Sequence, residues 1–190
     1  MYDFCPSNVI YALQSMTVSL SLLHFAESAT QVRAVVYPSP KVILSASRDG
    51  TVRQWTLTSS KPATYDDTII VQSSSFINSL AYARPSGSYP DGLVVSAGKD
   101  TIIDVRQPGR LPDDNAERLL LGHANNVCAL DIGADGGTVI SGGWDKQARI
   151  WDISKGECIA ELKGHDQAVW AVLAYDENTI ITGMSGKLPN

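Results

Sequence analysis

Residues 122–152 read GHANNVCALDIGADGGTVISGGWDKQARIWD, opening on Gly122-His123 and closing on Trp151-Asp152. Two alternating apolar runs lie between those ends. On an extended chain Val127, Ala129 and Asp131 face one way and Cys128, Leu130 and Ile132 the other, because side chains alternate with period two. Residues 133–137 form a glycine-rich turn, and Thr138-Val139-Ile140-Ser141 begins the next strand. Residues 142–145 tighten into a second hairpin, which leaves 146–151 as a third strand. The spacing predicts three short antiparallel strands joined by tight turns.

A Gly-His start and a Trp-Asp finish around three short strands mark one blade of a propeller, and this stretch resembles a WD repeat. The resemblance implies a polar network. Placed on this sequence, His123 bonds Asp145, and Ser141 and the Trp151 indole N–H complete the chain. A buried carboxylate and a buried indole N–H both need partners. Loss of one member would strand its neighbours at about 1–3 kcal/mol per group. Ser, His and Asp together also raise the possibility of a hydrolase. No Gly-x-Ser-x-Gly elbow frames Ser141, and the same Ser and Asp pattern recurs elsewhere in the chain, so these residues are read as structural and no catalytic residue is assigned.

The first strand of the repeat recurs as Val32-Arg33-Ala34-Val35, Ile77-Asn78-Ser79-Leu80, Val127-Cys128-Ala129-Leu130 and Val169-Trp170-Ala171-Val172. The intervals are 45, 50 and 42 residues, close to the ~40–45-residue WD period, with the long one absorbing a loop. The second strand recurs too, through Ser45 to Asp49, Ser96 to Asp100, Ser141 to Asp145, and Thr182 onward. Ser45, Asp49 and Trp55 keep most of the network in the first repeat, Ser96 and Asp100 part of it in the second, and His165 and Thr182 part of it in the fourth. Repeat two carries Arg106 where the tryptophan belongs, and Ser28 and Ser73 stand where repeats one and two would place the histidine. The expected architecture is all-β, a partial propeller of about three and a half blades. Its repeats lie near 31–57, 76–106, 122–152 and 164–190, after an unassigned N-terminus at 1–30.

The rest of the chain constrains function by what it lacks. The 190 residues carry a formal charge of −5, without Lys/Arg clusters, so a nucleic-acid partner is not expected. Cys5, Cys128 and Cys158 form no C-x-x-C pair, which indicates neither a disulfide framework nor a zinc site and fits a cytoplasmic or nuclear compartment. Residues 9–25 are apolar, but without a positive n-region and broken by Gln14, Ser15 and Ser19 to Ser21; they read as strand or amphipathic segment rather than signal or membrane span. Residues 61–67, 84–92 and 107–117 read as loops through their prolines and acids. Asp66-Asp67 and Asp113-Asp114 lack the further oxygen ligands a cation needs. Gly183-Met184-Ser185-Gly186-Lys187-Leu188 fails as a phosphate loop, since its glycines are too close and no Ser or Thr follows the lysine. No cofactor or metal is expected.

Beyond the repeat, QVRAVVYPSPKVILSASRDGTVRQW, FINSLAYARPSGSYPDGLVVSAGKDTIIDVRQPG, LLLGHANNVCALD and GHDQAVWAVLAYDENTIITG resemble the N-terminal propeller of the phospholipase A-2-activating protein family, above all its fungal ubiquitin-homeostasis members. The resemblance covers roughly residues 31–187 and departs at 1–30 and at Gly186, where an aspartate is expected. It implies a seven-bladed, non-enzymatic propeller that binds ubiquitin or ubiquitinated proteins. It also implies two further domains in full-length members, one binding ubiquitin and one docking the AAA segregase ATPase. Neither follows residue 190 in this sequence, so that ATPase is expected only through domains absent here. On such a propeller Arg33, Arg48, Asn78, Lys99, Trp144 and Trp170 would share one face, as aromatic anchors among cations. Three alternatives stay open: a generic scaffold for another partner, a truncation without function, and a chain that covers its open blade edges by pairing with another copy.

Overall fold

The computed structural model describes residues 31–60, 63–109 and 116–186. The expectations for residues 1–30, Ser28 included, and for 187–190 lie outside the described residues. Within them all regular structure is β. Strands β1 (Val32–Ser39), β2 (Val42–Ser47), β3 (Thr51–Ser60) and β4 (Ala63–Gln72) pair in chain order as one sheet. A second sheet follows from β5 (Ile77–Ala83), β6 (Leu93–Gly98), β7 (Ile103–Arg106) and β8 (Arg118–Leu120). A third is built by β9 (Val127–Ile132), β10 (Thr138–Gly143), β11 (Ala148–Asp152) and β12 (Glu157–Leu162). Strands β13 (Val169–Ala174) and β14 (Ile180–Met184) pair as a two-stranded sheet. Each sheet is an antiparallel meander, and β1, β5, β9 and β13 lie side by side as the innermost strands. This is a partial β-propeller, as the sequence implied.

The apolar cores lie between blades rather than within them. Leu93, Val95 and Ala97 of β6 meet Val127, Val139 and Trp151 of the third blade. Val94, on the other face of β6, joins Leu44, Val52 and Ile70 of the first. A strand covered on both faces reads as an unbroken apolar run, and LVVSAG is buried at every position.

Two expectations need correction. Each complete blade has four strands, not three. The outermost strand comes from sequence between one repeat's Trp-Asp and the next Gly-His, as in β8 and β12. Residues 63–67, expected in a loop, belong to β4. Its solvent-facing composition hid it: Arg53 pairs with Asp67 across the β3–β4 seam, so one of the two acids that signalled a loop anchors an edge strand. The segments 84–92 and 107–109 do carry no strand.

The hairpins after β2, β6 and β10 turn on an aspartate whose carboxylate accepts the backbone N–H two residues on. Asp49 takes Thr51 at 2.8 Å, Asp100 takes Ile102 at 3.2 Å and Asp145 takes Gln147 at 3.3 Å. The residue after each aspartate is left-handed: Gly50 at φ 85°, Thr101 at 69° and Lys146 at 68°. Glycine adopts that geometry freely, whereas a β-branched threonine is strained there.

Candidate functional site

In the third blade the structure brings all four predicted network residues together. The Trp151 indole N–H donates to Ser141 Oγ at 2.8 Å. Ser141 Oγ lies 2.6 Å from His123 Nε2, and His123 Nδ1 lies 2.7 Å from Asp145 Oδ2. Asp145 Oδ2 also accepts the Ala124 N–H at 3.0 Å. Burial pushes the His123 imidazole below its ordinary pKa, against the pull of Asp145, so the ring is neutral near pH 7. Its Nδ1–H then donates to the carboxylate and Nε2 accepts the Ser141 hydroxyl. Gly143 allows this closeness, since a Cβ there would sit 3.0 Å from His123 Nδ1 and 2.8 Å from Asp145 Oδ1.

The order Ser–His–Asp is that of an acyl-transfer relay, but its surroundings are those of a core. Ser141 is 0% exposed and the indole already occupies its oxygen. A nucleophile needs a site within reach of a substrate carbonyl, and this oxygen has no open approach.

The other blades hold parts of the network. In the first, the Trp55 indole donates to Ser45 Oγ at 2.9 Å while Asp49 accepts the Thr51 hydroxyl at 2.7 Å. In the fourth, His165 Nε2 lies 2.8 Å from Thr182 Oγ1. In the second, Ser73 takes the histidine's place and donates to Asp100 Oδ2 at 2.8 Å. Arg106, in the tryptophan's place, turns its guanidinium to Asp104, with Nε at 2.8 Å and Nη2 at 3.2 Å from the carboxylate oxygens. Burial still pushes the Asp104 carboxyl above the usual carboxylate range.

One edge of the propeller collects the candidate face. The backbone N–H groups of Arg48, Lys99 and Trp144, at the hairpin tips, bond the carbonyls of Gln31, Phe76 and Asn126, just before each inner strand, at 3.1, 2.9 and 2.8 Å. Each hairpin tip is thereby fixed beside the start of its own inner strand. Trp144 and Trp170 are 46% and 45% exposed and meet edge to face, with ring centroids 5.8 Å apart. Arg33 and Lys99 are exposed, and Asn78 bonds Asn126 Oδ1 at 2.8 Å to tie the second blade to the third. Sequence reasoning missed Phe76, 45% exposed, with Arg48 at 5.7 Å and Lys99 at 5.4 Å from its ring centre. A lone aromatic directly before an inner strand was the available signal. The face thus carries a tryptophan pair and a single phenylalanine flanked by two cations.

The WD domain, G-beta repeat family matches residues 20–56, 116–152 and 156–188, more than half of the chain. The chain belongs to the WD-repeat family. The second repeat, where Ser73 and Arg106 replace the histidine and tryptophan, falls outside the matched spans. Among WD-repeat proteins, Protein DOA1 of Saccharomyces cerevisiae is 34% identical over 148 residues, 77% of this chain and 19% of DOA1. The phospholipase A-2-activating protein of Xenopus laevis is 34% identical over 134 residues, 70% of this chain and 16% of that protein. The ubiquitin homeostasis protein lub1 of Schizosaccharomyces pombe is 34% identical over 129 residues, 67% of this chain and 16% of lub1. The crystal structure of the WD40 β-propeller domain of Doa1 superposes with a TM-score of 0.69 at 32% identity, covering 81% of this chain and 48% of that one. Within the WD-repeat family the chain is therefore kin to the phospholipase A-2-activating proteins. It spans less than a fifth of the length of these relatives.

Proposed function

We propose that this WD-repeat chain is a docking module without catalysis of its own, that it binds ubiquitin, free or on ubiquitinated proteins, and that it serves ubiquitin-dependent turnover in the cytoplasm or nucleus. The observation that carries the reading is the hairpin edge, where Trp144, Trp170 and Phe76 stand exposed among Arg33, Arg48 and Lys99. Clustered aromatics held rigidly by a sheet suit a small folded partner, because little side-chain entropy is lost on contact. Kinship with lub1, named for ubiquitin homeostasis, supports ubiquitin as the partner. The test is a tryptophan-fluorescence titration with monomeric ubiquitin. A saturable change is expected, and Trp144→Ala or Trp170→Ala should weaken affinity by about tenfold or more, the weight of an interface anchor. Binding that is unchanged in both variants, followed by calorimetry, would transfer the function to another surface.

A second reading is favoured by β13 and β14, which leave Leu173, Ile181 and Met184 exposed. We propose self-association through these strands as the rival, and sedimentation velocity decides it. A single monomer species across the micromolar range sets it aside.

A further inference from the structure

The departures of the second blade coincide at one place. In the first and third blades an arginine faces the network serine across the hairpin, Arg53 opposite Ser45 and Arg149 opposite Ser141. In the second blade Asp104 faces Ser96. With Ser73 replacing an imidazole and Arg106 turned to Asp104 where an indole would lie, the β6–β7 hairpin and the end of β4 enclose a cleft of about 220 Å³. Ser73, Ser96, Asp100 and Asp104 line it with polar groups, and Val71 and Ile102 with apolar ones. A single water needs only ~10–15 Å³ by the same measure, and drug-sized ligands occupy ~300 Å³ or more, so the cleft is the size of one small group.

Ser96 gives the cleft its direction. It is 2% exposed and lines the cleft, and no bond to its hydroxyl closes the network among the described residues. Its counterparts Ser45 and Ser141 each accept an indole N–H. That hydroxyl opens onto the cleft, where among the described residues the Asp100 and Asp104 carboxylates stand beside the one guanidinium of Arg106. The missing complement is therefore a donor of N–H bonds that carries positive charge. Lodged between facing blades where rings sit in the neighbouring networks, it is also flat.

We propose that this cleft binds a small planar cation of the guanidinium class, with its N–H groups donating to Ser96 Oγ and to the Asp100 and Asp104 carboxylates. A planar fork matches a carboxylate as an ammonium does not. The group comes either free or as an arginine side chain of a partner polypeptide. The site is independent of the ubiquitin reading, since it lies between β4 and β6–β7 rather than on the exposed aromatics.

The test is an amide NMR titration of the full chain with methylguanidinium at millimolar concentrations, with tetramethylammonium as a charge control. Saturable shifts confined to the amides around Ser96, Asp100 and Ile102, absent with tetramethylammonium, are the expected result. Ser96→Ala should weaken binding about tenfold, the worth of one bond to a charged group. Ser73→His with Arg106→Trp should fill the cleft and abolish the shifts. A capped Gly-Arg-Gly peptide distinguishes the sources: tighter binding than methylguanidinium assigns a partner's side chain, and equal binding assigns the free cation. No saturable shift in the wild-type chain, equal shifts with tetramethylammonium, or undiminished binding in Ser96→Ala would overturn the proposal.

Discussion

The second and third blades share a four-stranded meander, an Asp-centred hairpin and buried inner strands, yet they are closed by different chemistry. In the third, a chain of hydrogen bonds runs from Trp151 to Asp145 through Ser141 and His123. In the second, the same positions hold an ion pair, a substitute serine and a cleft. Both strand pairings survive, because the interblade apolar contacts of β6 and β10 are intact in each. Apolar burial builds the blade. The polar network is then a local addition, worth stability where complete and replaceable where it is not.

The largest effect that separates the blades should come from Trp151, fully buried in the core between them. Trp151→Ala is expected to cost about 3–5 kcal/mol, because it opens a cavity and takes away the indole donor to Ser141 Oγ. Urea unfolding measures it. A loss under 1 kcal/mol would mean the third blade does not depend on that ring.

A smaller effect sharpens the contrast at the hairpins. Thr101 and Lys146 share the left-handed position that Gly50 fills in the first blade. Thr101→Gly should raise stability by about 1 kcal/mol, since a β-branched residue pays most for that conformation, and Lys146→Gly should gain less. Thermal unfolding of the two variants checks the order, and a loss in Thr101→Gly would contradict it.

The smallest effect is a dependence on pH with opposite signs in the two blades. Burial lowers the His123 pKa, so the folded chain resists protonation there; the stability this carries is present above about pH 6.5 and is lost as pH falls below it. Burial raises Asp104, so its contribution is present in acid and is lost as pH rises through the raised value. His123→Gln should therefore flatten the fall in melting temperature between pH 6.5 and 5, while Asp104→Asn leaves that fall in place. An unchanged slope in His123→Gln would remove the imidazole from the account.

Much of this contrast was legible before any coordinates. The inner strands, the hairpins and the four residues of the third network follow local spacings, and burial on both faces makes a second strand such as β6 apolar enough to read. Ser73 and Arg106 stood out as departures from the same pattern. The outer strands did not show. Strands β4 and β12 carry solvent-facing acids because one edge is open, and Asp66-Asp67 looked like a loop for that reason. Phe76 was missed because a single exposed aromatic has no period. The cleft was unreadable for a deeper reason: it arises from a bond that Ser96 does not make, and spacing records only residues that are present.

One measurement tests directly the claim that the polar network stabilises the third blade but not the second. Ser141→Ala and Ser96→Ala remove the same hydroxyl from equivalent, buried positions. In the third blade the change leaves the Trp151 N–H and the His123 Nε2 unpaired, and equilibrium urea unfolding should show a loss of about 1–3 kcal/mol. In the second it severs no bond, and the loss should stay within about 0.5 kcal/mol. Equal losses from the two substitutions would contradict the account.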